Sequence, residues 1–271
     1  MVTEHKRVMD FIAEKVPPAK WNLAGKGSDV VPPGAVELSA LYINLDSNAD
    51  RREHIEKELD TLAVPAQRVP AIKELYGPLG ALKSHIKALG IAKENASPWT
   101  VIFEDDFAFD GPVEETKTRI QFVLENNRLA PVWLGDWVVN GPAPQKHPVH
   151  LGAREANGAC NNASCYFIRY DYIDVLLGTW EAALANLVAD LRQAIELKRG
   201  NNIEEIGHLW WYSPDSAWAP LQIRDHWLLF DPELGRQQIG KFGSDVQSSI
   251  KSFETLGFRE VAVDELKTDI G

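Results

Sequence analysis

Short apolar segments alternate with amphipathic segments through the middle of this 271-residue sequence, and this alternation limits the possible folds more than any other feature. The segment "ELSALYINLD" (37–46) is apolar along most of its length, as a buried strand is. The segment "NADRREHIEKELDTL" (48–62) then places Ile55, Leu59 and Leu62 on one helical face. Strands that alternate with helices at this spacing predict an α/β fold, with a mixed, mainly parallel sheet and helices on both faces.

The remaining elements are predicted from the same two periodicities. Further strands are expected at 65–72, 99–106, 130–139, the first part of 161–180, and 224–234. Further helices are expected at 80–95, 116–126, the second part of 161–180, 179–197 and 213–223. Because sequential strands separated by helices favour parallel pairing, the polar ends of these strands should meet at one edge of the sheet.

The two ends of the chain differ in composition from its middle. Residues 1–16 have the pattern of a short amphipathic helix, which Pro17 and Pro18 end, and a Gly- and Pro-rich stretch follows. We therefore expect an N-terminal extension with a helix over 1–36, a main domain over 37–250 and a C-terminal tail over 251–271.

Charge and composition exclude several classes of partner. The net charge is −11 and the pI is about 5.1, whereas binding to nucleic acid requires a basic surface. No apolar run approaches the length of about 18 residues that a membrane span needs, and the N-terminus is too charged for a signal peptide. With only two cysteines and no disulfide pattern, the sequence predicts a protein of the cytoplasm.

Three acidic residues follow the strand-like run "VIF" in "VIFEDD". On an extended strand, alternate side chains share a face, so Glu104 and Asp106 should point one way and Asp105 the other. Two carboxylates on one face suit Mg²⁺ or Mn²⁺, with a substrate phosphate completing the coordination. A solvated acidic turn is the simpler alternative.

Other strand ends and helix starts carry residues that would suit a nucleotide diphosphate. Asn44 ends the first strand, and Arg51 lies in the following helix. Ser84 and His85 are expected in the first turns of the second helix, where free N–H groups would suit an anion. Each of these has an ordinary structural explanation, a surface arginine or a core histidine among them.

The ordered set of segments resembles glycosyltransferase family 25, which includes bacterial lipooligosaccharide galactosyltransferases and collagen galactosyltransferases. The segments that carry this resemblance are "LYINLDSNADRREHIEKEL", "RVPAI", "GALKSHIKAL", "VIFEDD" and "CYFIRYDYIDVLL". They occur in the family's order over about residues 38–250. The spacing from "INLD" through "SH" to "EDD" is more specific than any single segment.

The resemblance implies a GT-A-like fold, a UDP-sugar donor (commonly UDP-galactose), a divalent cation, commonly Mn²⁺, and a hydroxyl-bearing acceptor. It implies that Glu104 and Asp106 bind the metal. Asn44, Arg51, Ser84, His85 and Asp105 are then expected around the donor. Family members invert the anomeric carbon, so the acceptor hydroxyl needs a general base.

Asp215 in "YSPDSAW" is the first candidate for that base, and Asp136 in "WLGDW" is the second. A helix N-terminal carboxylate stabilised by the helix dipole is an equally good explanation of Asp215. His226 is a further candidate metal ligand, with a buried strand histidine as the alternative. Trp210, Trp211 and Trp218 are expected to form a platform for a sugar, and 243–250 is expected to lie near the phosphates.

Two other functions stay open from the sequence. A catalytically silent relative could bind a nucleotide sugar or a glycan, although the intact "EDD" favours an active protein. A Mg²⁺-dependent phosphohydrolase or nucleotidyltransferase could use the same acidic cluster. Those enzymes usually carry a second carboxylate pair or a Gly-rich phosphate loop, which are not clear in this chain.

Overall fold

A computed structural model describes residues 38–125, 129–150, 152–199, 207–244 and 266–270, together with Asp10 and Glu14. The predicted helix and arm over 1–36 therefore lie almost entirely outside the described residues. So do 245–250 of the expected phosphate-side segment and most of the tail. The predicted division into these three segments stays a prediction.

The first half of the described chain forms five strands and three helices, nearly as the sequence predicts. They are β1 (Leu38–Asn44), α1 (Ala49–Thr61), β2 (Ala66–Pro70), α2 (Gly77–Asn95), β3 (Trp99–Glu104), β4 (Phe107–Phe109), α3 (Val113–Glu125) and β5 (Val132–Leu134). Each predicted element of this half is present, with bounds that differ by a few residues.

The second half is less regular. Its strands are β6 (Val138–Val139), β7 (Gln145–Lys146), β8 (Ala153–Glu155), β9 (Cys160–Asn161), β10 (Cys165–Arg169), β11 (Leu228–Phe230) and β12 (Gly235–Gln237). Its α-helices are α4 (Ile173–Arg199), α5 (Pro214–Ala217), α6 (Ala219–Arg224) and α7 (Ile239–Phe242). Short 3₁₀ helices occupy Tyr170–Tyr172 and Gly207–Tyr212.

Eight of these strands form one sheet in the order β2-β1-β3-β10-β5-β11-β8-β7. The strands β2, β1, β3, β5, β11 and β7 run in one direction, while β10 and β8 run in the other. The predicted fold class, a mixed and mainly parallel α/β sheet, is confirmed.

Helices cover both faces of the sheet, as predicted, and each face has its own apolar core. On one face, α2 and α4 pack over Leu41, Ile102 and Tyr166. On the other face, α1 and α3 pack over Phe103 and Phe167. Alternate residues of one strand thus face different cores, which explains why the central strands are apolar along most of their length.

Strand β10 is antiparallel to both of its neighbours, β3 and β5, whereas the sequence pattern predicts a parallel strand. A parallel return requires a crossover of about a dozen residues, usually a helix. Between β5 and β10 the chain instead makes short strands and loops, so it re-enters the sheet from the edge at which β5 ends. This reversal brings the residues just before β10 to the same edge as the ends of β3 and β5.

Three predicted elements have different bounds. The strand expected at 130–139 stops at Leu134, and Val138–Val139 forms the separate strand β6, which pairs with β9. The two helices expected between 161 and 197 are one helix, α4, since Gly178 does not interrupt it. The helix expected at 213–223 divides into α5 and α6 at Trp218. Pro220 lies in the first turn of α6.

The end of the tail returns to the core, although the sequence suggests a peripheral segment. Leu266 is 4% exposed and belongs to the core that α4 covers. Its carbonyl accepts a hydrogen bond from Arg192 on α4. Among the described helices, none is both long enough and apolar enough to cross a bilayer.

Candidate active site

The carboxyl ends of β1 and β3 are joined by a buried hydrogen bond. Asn44, the last residue of β1, donates from Nδ2 to Asp105 Oδ2 at 2.8 Å. Asn44 Oδ1 in turn accepts from Arg68 Nε at 3.0 Å. The structure therefore brings together the polar ends of the first and third predicted strands, at the edge where open α/β sheets bind ligands.

Asp105 and Asp106 form a turn between β3 and β4 rather than the end of an extended strand. Both carboxylates lie against the same nitrogen, Arg51 Nη1, at 3.3 Å and 3.4 Å. The predicted alternation, with Asp105 on the opposite face from Asp106, is therefore wrong. The turn replaces the pleat that alternation requires.

Arg51 is buried beneath this turn and connects it to the segment after β12. Its second terminal nitrogen, Nη2, donates to the carbonyl oxygens of Phe242 at 3.3 Å and Gly243 at 3.0 Å. The guanidinium group also lies over the ring of Phe242, 5.5 Å from its centroid. One side chain of α1 thus ties together two acidic residues and the chain that closes this end of the site.

The acidic turn carries more negative charge than Arg51 balances. Glu104, Asp105 and Asp106 are consecutive, and the two aspartates are 7% and 4% exposed. Burial first, and then the negative charge of Glu104, raise the pKa of Asp106 to about 8. Burial also raises the pKa of Asp105, against the lowering effect of Asn44 and Arg51. A proton or a bound cation would relieve this charge.

Asp106 also carries an unsatisfied oxygen. Its Oδ1 atom is buried and has no hydrogen-bond partner, whereas buried carboxylate oxygens normally accept at least one. Within the described part of the chain, no three His, Cys, Asp or Glu side chains form a complete metal site. Mg²⁺ and Mn²⁺ are often bound by one or two carboxylates plus substrate phosphates, however, so Asp106 with Glu104 fits a cation of that kind.

Glu104 receives a donor on each oxygen. His85 Nε2 lies 3.1 Å from Glu104 Oε1, and Gln237 Nε2 donates to Oε2 at 2.5 Å. His85 Nδ1 lies 3.2 Å from the hydroxyl of Tyr166 on β10. The ring of His85 also contacts that of Trp180, with centroids 5.5 Å apart. His85 therefore connects the half-exposed carboxylate to a buried aromatic cluster.

That aromatic cluster consists of Tyr166, Trp180, Trp218 and Trp227. Trp180 stacks on Trp218 with centroids 6.1 Å apart, and Trp218 meets Trp227 edge-on at 5.3 Å. Trp218 is fully buried, so its predicted role in a sugar platform is wrong. Trp210 and Trp211 are half-buried.

Helix α2 begins at Gly77, with Pro78 in its first turn, three residues earlier than the sequence predicts. Ser84 and His85 therefore do not lie in its first turns, and the expected free N–H groups beside them are absent. Ser84 Oγ instead donates to the carbonyl of Gly80 at 2.7 Å and accepts from the amide of Ile72 at 2.8 Å. Its hydroxyl ties the loop after β2 to α2.

Asp136 follows β5 and is buried, and three hydrogen-bond donors converge on one of its oxygens. Its Oδ2 atom accepts from Ser164 Oγ at 2.7 Å, Asn162 Nδ2 at 2.8 Å and the amide of Gln237 at 2.9 Å. Burial raises the pKa of Asp136, and the hydrogen bonds from Ser164 and Gln237 partly offset that effect. Gln237 thus links Asp136 to Glu104 through a single residue.

Asp215 lies close to Asp136, on the other side of Asn162. The amide of Asn162 is 3.3 Å from Asp215 Oδ2, and Ser213 Oγ donates to Asp215 Oδ1 at 2.6 Å. Asn162 has a φ of 92°, in the left-handed region that few side chains tolerate. Burial raises the pKa of Asp215. The structure therefore brings the two candidate bases together.

A cavity of about 270 Å³ opens beside the acidic turn. Its walls come from the end of β1, the loop after β2, the N-terminal half of α2 and the acidic turn. All seven predicted donor and metal residues line it: Asn44, Arg51, Ser84, His85, Glu104, Asp105 and Asp106. Asp136 and Asp215 do not line it and lie beyond Gln237. His226, by contrast, is exposed in the turn before β11, so it is neither a buried strand residue nor part of this site.

Sequence reasoning missed several residues of the site. Gln237 and Asn162 bridge the acidic groups, Ser164 donates to Asp136, and Glu74 lines the cavity. Asn162 lies in a loop and Gln237 ends the short strand β12, and neither segment has a recognisable sequence pattern. The two asparagines of the segment "NNAS" before β10 are one signal of a turn, because Asn readily adopts positive φ.

Comparisons with known proteins give similarities of fold at low identity. No family model matches the sequence, and no curated protein matches it. One similar structure is a glycosyltransferase involved in the glycosylation of the major capsid of PBCV-1, with 10% identity, 79% of this chain and 98% of that chain covered, and a TM-score of 0.42.

Two further structures match about as well. A197 from STIV has 10% identity, with 72% of this chain and 82% of that chain covered, and a TM-score of 0.39. Mannose-1-phosphate geranyltransferase from Thermus thermophilus has 11% identity, with 74% of each chain covered, and a TM-score of 0.40. These values are too low to transfer an activity, and the resemblance to glycosyltransferase family 25 stays a prediction.

Proposed function

We propose that this chain is a metal-dependent, inverting glycosyltransferase that moves a hexose from a UDP-sugar to a hydroxyl group of a glycan or of a hydroxylated acceptor. Galactose is the first choice of hexose, from the resemblance to family 25. The observation that carries the proposal is the buried acidic turn, with the unpartnered Oδ1 atom of Asp106, in the wall of a cavity at the carboxyl edge of the sheet.

The cavity has the features that a nucleoside diphosphate requires. Residues at the N-terminal ends of α1 and α2, among them Asn48 and Gly77, line it, and helix N-termini favour anions. Arg51 lies at the base of the cavity, with its guanidinium group between the two aspartates. It can exchange part of this contact for a phosphate oxygen, which a planar guanidinium group binds well.

Glu104 and Asp106 would hold the cation, which would neutralise the charge that develops on the leaving diphosphate. Asp105 takes a supporting role, because both of its oxygens are occupied by Asn44 and Arg51. His85 and Gln237 orient Glu104 through its two oxygens. Both candidate metal ligands therefore line the cavity: Glu104, whose two oxygens both have hydrogen-bond partners, and Asp106, whose Oδ1 atom has none among the described residues.

Transfer requires that the acceptor oxygen attack the anomeric carbon as the bond from that carbon to the diphosphate oxygen breaks. The acceptor proton passes to a base on the opposite side from the leaving group. Asp215 suits this role better than Asp136, because its side chain is partly exposed whereas that of Asp136 is buried. Asp136 is 4% exposed, with three donors on one oxygen, and suits an anchor for the surrounding loops.

The experiment that tests this proposal is a donor panel followed by thermal shift and calorimetry. UDP-galactose, UDP-glucose, UDP-N-acetylglucosamine, UDP-xylose, GDP-mannose and CMP-sialic acid are each added with Mn²⁺ and with EDTA. We expect one UDP-sugar with Mn²⁺ to raise the melting temperature by about 5 °C or more at a hundredfold excess over its Kd. The shift should disappear with EDTA and in Asp106→Ala.

The matched control is Asp60→Ala, which removes an exposed carboxylate at the far end of α1 and should leave the shift unchanged. Hydrolysis or transfer is then followed by release of UDP with candidate acceptors. An absence of binding to every donor would overturn the proposal, and binding that does not depend on Mn²⁺ or on Asp106 would remove the metal from it.

A further inference from the structure

Glu74 lies in the loop between β2 and α2, and it lines the same cavity as the acidic turn. Its Oε1 atom accepts a hydrogen bond of 2.6 Å from Lys83 Nζ. The Lys83 side chain is 5% exposed, whereas that of Glu74 is 23% exposed. Lysine is rarely buried to this extent without a partner, so the pair sets the position of the Glu74 carboxylate.

The loop that carries Glu74 is attached to α2 at two further points. Ser84 Oγ accepts from the amide of Ile72 and donates to the carbonyl of Gly80. A Cβ at Gly80 would lie 2.7 Å from the carbonyl oxygen of Ile72, so the helix and the loop touch at this glycine. The loop and α2 are thus joined without a ligand, and a wall ordered in advance lowers the entropic cost of binding.

The second oxygen of Glu74, Oε2, has no hydrogen-bond donor among the described residues. A half-exposed carboxylate in a cavity, with one oxygen anchored and one available, is an acceptor for a ligand that carries donors. Vicinal hydroxyl groups are such donors. A carboxylate that accepts from the 2′-hydroxyl of ribose is a recurring solution in nucleotide-binding folds.

The order of the strands indicates which part of a donor would reach Glu74. Glu74 follows β2 and the acidic turn follows β3, and β1 lies between these two strands in the sheet. Asp136 follows β5, two strands from β3 in the opposite direction. With the diphosphate at the acidic turn and the transferred sugar toward the candidate bases Asp215 and Asp136, the nucleoside would lie toward Glu74. The ribose is the first group of the nucleoside beyond the phosphates.

We propose that Glu74, positioned by Lys83, accepts hydrogen bonds from the ribose hydroxyl groups and makes the cavity selective for ribonucleotides over 2′-deoxyribonucleotides. This inference rests on the proposed function, because it takes the ligand to be a nucleoside diphosphate. It assigns Glu74 a role in specificity and leaves the chemistry of transfer to the other end of the site.

The test compares the Kd values of UDP, ADP, GDP and CDP with those of their 2′-deoxy counterparts, by calorimetry with Mn²⁺. We expect the wild type to bind the preferred ribonucleotide at least about tenfold more tightly than its deoxy counterpart, since a hydrogen bond to a charged group is worth that much. In Glu74→Gln and in Glu74→Ala this ratio should fall toward one. Glu94→Gln, an exposed glutamate near the other end of α2, is the control and should keep the wild-type ratio.

The outcomes separate the two proposals. If the wild type binds none of the ribonucleotides, the proposed function fails and this inference fails with it. If the wild type binds one of them without preference for ribose, or if the preference survives both Glu74 variants, the inference alone is overturned. The ratio of the two Kd values, for the ribonucleotide and for its 2′-deoxy counterpart, is measured within a single variant. A partial loss of folded protein in that variant therefore does not change the ratio.

Discussion

Asn44 at the end of β1 donates a hydrogen bond of 2.8 Å to Asp105, which follows the end of β3. The contact is buried and joins two strands that are neighbours in the sheet. It gives Asp105 a neutral donor in addition to the charge of Arg51. The stability of the carboxyl edge of the sheet therefore depends in part on the uncharged side-chain amide of Asn44.

Replacing Asn44 with Ala should destabilise the protein by about 1–3 kcal/mol, because Asp105 then loses a buried donor that water cannot replace. Urea unfolding followed by circular dichroism gives the change in the free energy of unfolding. Asn95→Ala is the control, since Asn95 is exposed at the end of α2, and it should change that free energy by less than about 0.5 kcal/mol. Equal losses in the two variants would contradict the assignment.

Arg51→Met should be among the most destabilising substitutions on α1, at about 3–5 kcal/mol, because it removes the guanidinium group that lies against the buried acidic side chains of Asp105 and Asp106. Mn²⁺ should restore more stability in this variant than in the wild type. The adjacent Arg52 is exposed and pairs with Glu56 on the surface, so Arg52→Met should change stability little. A Mn²⁺ response that is the same in all three proteins would argue against a cation near Arg51.

The stability of the wild type should fall with rising pH because of Asp106. Its pKa is about 8 in the folded protein, against 3.8 as the ordinary value, so the folded state holds a proton between about pH 4 and pH 8 that the unfolded state releases. Asp106→Asn does not titrate. In EDTA, its melting temperature relative to the wild type should therefore rise from pH 5 to pH 8, by at least about 2–4 °C, or about 1 kcal/mol.

Asp60→Asn is the control for that measurement, since its carboxyl group is exposed on helix α1. Its melting temperature relative to the wild type should not depend on pH. A difference for Asp106→Asn that stays constant from pH 5 to pH 8 would mean that Asp106 is ionised throughout this range.

Two glycines should respond in opposite directions to the same substitution. Gly135→Ala places a Cβ 2.5 Å from Cys165 Sγ, in a buried contact beside Asp136, and should destabilise by about 1–3 kcal/mol. Gly90→Ala, inside α2 with open space around it, should stabilise by about 0.5–1 kcal/mol. In a double-mutant cycle, Cys165→Ala should show a favourable coupling energy with Gly135→Ala, because it removes the close contact, and no coupling energy with Gly90→Ala.

Asp215→Asn should lower kcat by about 100-fold or more, once a donor and acceptor are known, with the Kd for the donor unchanged. Asp136→Asn should instead lower the free energy of unfolding, because it disturbs three converging hydrogen bonds. The reverse pattern, with turnover lost in Asp136→Asn and retained in Asp215→Asn, would assign the base to Asp136.

The sequence predicts the part of the sheet formed by β2, β1 and β3 well, because these strands follow simple rules. Each strand is a short apolar run that ends in polar residues, and each helix has one apolar face. Parallel pairing then places Asn44, Arg51 and Asp105 at one edge without further information. The relative positions of these residues therefore follow from the pattern of the sequence alone.

The part of the sheet from β10 to β7, together with the loops around it, is less predictable, because its geometry depends on contacts between distant segments. The reversal of β10 follows from an excursion without a helix, and the turn at Asp105 and Asp106 depends on Arg51 and on the chain after β12. Gln237 contacts Glu104 across 133 positions of the sequence. No local pattern encodes such a pairing, so neither this bridge nor the anchoring of Glu74 by Lys83 was visible in the sequence.

The contact between His85 and Trp180 gives this protein a built-in optical signal. His85 touches Glu104 on one side and the indole ring on the other, and Trp180 stacks on Trp218 behind it. Indole emission responds to the groups that contact the ring. Any ligand that changes the charge at Glu104 should therefore change the tryptophan fluorescence of the unlabelled protein, so that binding to this site can be followed in real time without a dye, a coupled enzyme or a known acceptor.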